Sequence, residues 1–167
     1  MAALKFSYAG LDEYLIQLGK IESMVKTGEI AGAVIYAGAN IVADVFRKEI
    51  EGLPVIDYRK RGSNENKLQG ITSLQKKGLL EGLGIAKMQE ADGVFNAKIG
   101  FDGYNDVRTV KNPWGQANIT IARSLNSGTS FRAKNPFATR AIRKAKPQAE
   151  KAMAVAFDEK LKAKIKE

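Results

Sequence analysis

The amino-acid sequence predicts an α+β fold: a small, mostly antiparallel sheet packed against one long helix, with a further helix at the C-terminal end. Three observations predict it. Apolar residues recur at helical spacing from Glu29 to about Gly52. Short alternating segments divided by turn residues follow Gly93. A line of apolar side chains at i, i+4 steps then runs from Phe137 to Phe157. A helix with one apolar stripe must bury that stripe against a second layer, and short strands supply one. A chain of 167 residues suits a single domain spanning 1–167, large enough to fold without a disulfide or metal.

Taken in order, Leu4–Tyr8 alternates and reads as a short strand, broken at Gly10. Leu11–Val25 reads as an amphipathic helix, with Leu11, Tyr14, Leu15, Leu18 and Ile21 on one side. The long helix restarts after Thr27-Gly28. Ile30, Val34, Ile41 and Val45 mark its stripe, and Ile35, Val42, Phe46 and Ile50 widen it. Small residues, Ala31 to Ala33 and Ala37 to Ala39, leave room for another element to approach. The apolar run Ile30–Ala43 is shorter than the roughly 20 residues of a membrane span, so a buried core helix is expected. Gly52 and Pro54 stop it.

Residues 57–70 are polar and basic and read as an exposed loop, free to be mobile until a partner orders it. Ile71 to about Leu83 reads as a short helix that Gly78 and Gly82 weaken and allow to bend. Gly93–Phe101 alternates as one strand, Asp102 to Asp106 is a hairpin-turn signal, and Val107–Lys111 reads as a second extended segment. Asn118–Leu125 fits a strand or a short helix, and the helix is preferred. Ser127 to Ser130 turns the chain into a short strand around Phe131. Pro136 suits the first turn of a helix, where its missing N–H costs nothing. Pro147 is expected to kink or divide that helix.

The chain has neither Cys nor His. Disulfides, thiolate zinc sites, His-ligated metals and Ser-His-Asp chemistry are therefore excluded. The carboxylate pairs Asp12/Glu13 and Glu49/Glu51 sit on charged helix faces, with no sign of the pocket that acid–base work requires. The cluster Asp102 to Asp106 lacks the spacing of a calcium loop. These patterns predict no enzyme, no cofactor and no metal.

The formal charge of +9 is uneven. Residues 1–58 carry 5 basic and 8 acidic side chains, residues 59–87 carry 7 and 2, and residues 132–167 carry 11 and 4. Arg59, Lys60 and Arg61, and on the last helix Arg140, Arg143 and Lys144, are the candidate contacts to DNA or to a partner. A solvated lysine-rich face is the alternative use of the same residues. Trp114, the single Trp, sits in a Pro-Trp-Gly turn. It reads as a partner anchor or as a lid on the core.

From Gly82 the sequence also resembles a known family. The residues that carry the likeness are GLGIAKM from Gly82, GVFNAKIGFDGY from Gly93, GQAN from Gly115, ARSLNSGTS from Ala122, and KNPF from Lys134 with Ala141. They are similar to the tail-component family of lambda-like siphophages and Gram-positive prophages, whose members are called tail completion, neck or head–tail joining proteins. The likeness covers about residues 29–165, in order. Pro54 and Asp57 take the places of the family's Pro and Asp. Gly128, Thr129 and Ser130 form its turn, and Pro136 and Phe137 open its C-terminal helix. This chain has Asn126 where members often carry an acidic residue.

The resemblance implies a virion structural protein, assembled in the host cytoplasm, with no membrane role. It implies a homo-oligomeric ring, commonly a hexamer, at the tail or neck. The ring would bind a tail terminator or tube protein on one side and connector proteins on the other, with viral DNA passing through and touched non-specifically. The alternative is a stand-alone basic DNA- or RNA-binding protein.

Overall fold

A computed structural model describes residues 16, 18–19, 22–23, 28–57, 62–92 and 94–165. The expected strand Leu4–Tyr8 lies outside the described residues, as does most of the expected helix Leu11–Val25, of which Ile16, Leu18, Gly19, Glu22 and Ser23 are helical. Among the described residues four further helices follow: α1 Glu29–Glu51, α2 Ser73–Gly82, α3 Asn118–Ser127 and α4 Phe137–Ile165. Between them lie six short strands: β1 Leu83–Ile85, β2 Gln89–Ala91, β3 Val94–Asn96, β4 Ile99–Phe101, β5 Tyr104–Asn105 and β6 Gln116–Ala117. The fold is α+β, as the hydrophobic pattern predicts.

The long helix α1 begins after Gly28, which takes a left-handed conformation, and ends where the Gly52 N–H bonds to the Lys48 carbonyl. By length and composition alone α1 could cross a bilayer. In the fold it buries Ile30, Ala39, Ala43, Phe46 and Ile50 in the protein interior. It lies against α4, and their contacts set an antiparallel register: Glu49 meets Arg140 and Lys144, and Gly38 meets Met153. The facing stripe on α4 is Ala141, Ala145 and Ala149, all buried. Small residues on both helices let the two backbones come close, the use expected from the alanine–glycine runs of α1.

At the lower end of this helix pair sits the main core. Phe46 meets Phe101 and Phe137 edge-on, and Phe101 is tilted against Phe137, with centroids 6.2–6.3 Å apart, a favourable aromatic geometry. Ile50, Ile71, Leu79 and Leu125 close round them. Helix α2 begins two residues later than expected. Thr72 and Gln75 form a capping box, while Ile71 pairs with Val55 in an isolated parallel bridge.

The sheet is three separate two-stranded antiparallel ladders, β1–β4, β2–β3 and β5–β6. The segment read as one strand, Gly93–Phe101, is two. Leu83–Ile85 pairs with Ile99–Phe101, and Gln89–Ala91 pairs with Val94–Asn96 in a register one residue further on. Ala86, Lys87 and Met88 thus face only Ala97 and Lys98, an irregularity of the bulge type that bends a hairpin. Met88 is held there by its N–H bond to the Tyr36 hydroxyl (2.8 Å).

Three further expectations are corrected. Val107–Lys111 forms no strand. Thr109 and Asn112 exchange backbone hydrogen bonds (3.1 and 3.0 Å), which makes Val110-Lys111 the tip of a tight turn. The strand expected around Phe131 is a single bridge, Arg132 to Leu68. Of the kink or division expected at Pro147, division does not occur: the last helix runs unbroken for 29 residues. Asn118–Ser127 is helical, as preferred. Of the basic loop, residues 63–67 are exposed, but Leu68 and Gly70 are tied back against Phe131 and Pro54.

Candidate interaction surface

The turn that follows α3 has a definite task. Gly128 has φ +76°, a conformation that a side chain disfavours. Its position beside Lys134 would also leave a Cβ only 3.1 Å from that residue's backbone nitrogen. The Thr129 hydroxyl accepts from the Arg132 N–H (3.0 Å), and the Thr129 N–H donates to the Arg132 carbonyl (2.9 Å). Ser130 is exposed at the bend. The effect is to seat Arg132. Leu68 then clamps the strand-like segment from both sides, donating to Phe131 and accepting from Ala133. Pro136 precedes the first helical residue of α4, and its carbonyl accepts from the Arg140 N–H (3.0 Å). Phe137 is fully buried and pins that helix to the core. Asn126 Oδ1 accepts from the Thr139 N–H in the first turn (3.4 Å).

Among the described residues Arg132 is the one buried charged side chain, 4 % exposed. Its Nη1 donates to the Gly70 carbonyl (3.1 Å), its Nη2 reaches Gln75 Oε1 only at 3.5 Å, and its Nε has no partner. Burial pulls the guanidinium below its ordinary pKa. No carboxylate among the described residues is paired with it.

The groups around Arg132 are neutral. Gln75 Nε2 donates to Gln116 Oε1 (2.8 Å), and the Thr72 N–H donates to Gln75 Oε1 (3.2 Å). Asn105 Nδ2 donates to the Gln116 carbonyl (2.8 Å), and Asn118 Nδ2 to that of Asp102 (2.8 Å). Gly78 makes this closeness possible, since a Cβ there would lie 2.6 Å from that of Asn105 and 2.7 Å from Asn118 Oδ1. The glycines read as weak points of α2 are close-contact positions. Two cavities open over this floor, of about 260 and 370 Å³, and both are lined by Gln75, Gln116, Phe131 and Arg132.

Beside these cavities the segment 106–115 projects. Val110 at its tip is fully exposed, and Trp114 is 85 % exposed. Trp114 is therefore no lid on the core. Tyr104 and Phe131 on the same side are also largely exposed. The nominated basic residues scatter instead of gathering. Arg59, Lys60 and Arg61 lie outside the described residues. Glu49, which is mostly buried, holds both Arg140 (3.0 Å) and Lys144 (2.5 Å), so these two serve to lock α4 to α1. Arg143 is exposed and has no ion pair among the described residues.

The carboxylates are as dispersed as the cations. No group of three or more metal-ligating side chains occurs among the described residues, the Asp102–Asp106 turn included. Sequence reasoning missed Arg132. An Arg between Phe131 and Ala133 in a basic C-terminal region looks like surface charge, and its position two residues after the Gly-Thr-Ser turn was the one available signal. No family model, curated protein or solved structure matches the chain.

Proposed function

We propose that this chain is a structural subunit of a tailed-bacteriophage virion, a ring-forming tail completion or neck protein that joins tail to head around the DNA channel. The observation that carries the reading is the projecting segment 106–115, with Val110 and Trp114 held out in solvent. An exposed Trp on a short, hydrogen-bonded turn is costly for a solitary soluble domain and well suited to a partner's pocket, where Trp anchors dominate binding energy. The resemblance supplies the kind of partner: copies of itself, a tail terminator or tube protein, and connector proteins.

In support, the residues that carry the resemblance have coherent work in the fold. Gly128 to Ser130 make a turn that positions Arg132, Pro136 and Phe137 start and anchor α4, and Asn126 bonds to its first turn where members often place an acid. The alternative, a solitary nucleic-acid-binding protein, is weakened because Glu49 engages two of the six nominated cations.

The test is the mass of the purified protein in solution across salt concentrations, with and without short duplex DNA. A defined ring, or a monomer that ignores DNA and assembles only with tail or connector proteins, is expected. A monomer that binds duplex at low salt and releases it steeply at high salt would overturn the structural reading.

A further inference from the structure

A guanidinium is permanently charged at physiological pH, and a buried charge left without a counter-ion is strongly disfavoured. Arg132 is in that position. The Gly70 carbonyl takes Nη1, while the opposite edge, Nε with Nη2, has one acceptor at the 3.5 Å limit and none at Nε. That edge offers two parallel N–H donors, the fork that matches the two oxygens of a carboxylate.

We propose that the Nε–Nη2 edge of Arg132 is a receptor for a carboxylate brought from outside the described chain, entering through the cavities lined by Gln116 and Phe131. The carboxylate displaces the neutral Gln75 oxygen from Nη2 and takes the unpartnered Nε. Arg132 lines both cavities but its Nε is itself buried, so entry requires the Gln75 amide to swing away from the guanidinium. Its contact there is the longest in the network. A planar two-oxygen anion matches the two parallel N–H donors of this single edge. Two sources share this chemistry: a free small carboxylate, or an acidic side chain of a second copy. The assignment does not depend on a phage role.

The test follows the Arg132 Nε–H resonance of the intact protein by NMR, assigned through its own side-chain bonds. Formate is added at constant ionic strength, with neutral formamide as control. A saturable shift with formate and none with formamide is expected. A shift that instead grows with protein concentration, without formate, supports the same receptor and names a second copy as the source. Gln75→Glu keeps the capping box and supplies a carboxylate in place, with the Gln116 amide turned to donate where Gln75 Nε2 donated before. It should abolish the formate response and raise the unfolding midpoint by a few degrees. A resonance that moves with neither formate nor protein concentration overturns the proposal. So does a formate response of undiminished size in Gln75→Glu, which would put the anion elsewhere.

Discussion

The ring of Phe137 stands edge-on to Phe46 and tilted to Phe101, and so joins α4 to α1 and to the β1–β4 ladder. Removing it leaves a cavity that three separate elements would have to collapse to fill. Phe137→Ala should cost about 3–5 kcal/mol in denaturant unfolding, and a loss below about 1 kcal/mol would mean that the core repacks freely. Glu49 acts at the same scale but through charge. The Lys144 hydrogen bond, more than offsetting desolvation and helped by Arg140, holds its carboxyl below the ordinary value of 4.5. A depressed folded pKa contributes stability that is complete above the unfolded value and lost as pH falls through the folded one. The stability gap between the native protein and Glu49→Gln should therefore be constant near neutral pH. It should shrink below about pH 4.5 and close at lower pH. A gap unchanged at pH 3 would show that the ion pairs do not carry it.

Among elements, α4 is the least expected. Pro147 removes one backbone donor and crowds the carbonyl of Arg143, yet the helix runs through it from Phe137 to Ile165. The alanine stripe locked against α1, with Glu49 holding Arg140 and Lys144, keeps the helix intact on both sides of the proline. The cost of Pro147 should then still be present as lost stability. Pro147→Ala is expected to stabilise the fold by about 1–3 kcal/mol in chemical denaturation. No gain would mean that the proline itself is needed for the fit of α4 to α1. In α2 the local rule also yields to packing: Gly78 weakens the helix, yet its missing side chain admits Asn105 and Asn118.

For the whole molecule, the polarity of the surface matters more than its net charge. One end is the α1–α4 pair, bound internally by small residues and ion pairs. On another side the segment 106–115 carries Val110 and Trp114 away from the core. Trp114 touches little of its own chain, so Trp114→Ala should leave monomer stability within about 0.5 kcal/mol of the parent. If Trp114 anchors the assembly, the same change should weaken it by about 2 kcal/mol or more, roughly thirtyfold in the dissociation constant. Sedimentation of the variant against the parent separates the two effects. Unchanged assembly would place the interface elsewhere.

The sequence by itself determined the α+β class, the bounds of α1, the preferred helix at Asn118, the start of α4 and the burial of Phe137. These rest on periodicity and on local backbone preferences, which a few neighbouring residues decide. It also excluded chemistry based on His and Cys, which depends on composition alone. Tertiary structure decided the rest. Gly93–Phe101 became two strands because the register slips by one residue opposite Met88, which Tyr36 holds from α1. Arg140 and Lys144, picked from the sequence for their charge alone, also lock α4 to α1 because Glu49, about ninety positions away in the chain, meets them. Arg132 became the buried charge because Gly70 and Gln75 close over it from about sixty positions away. Such roles are set by which distant groups share a low-dielectric interior, and no local pattern in the chain encodes that.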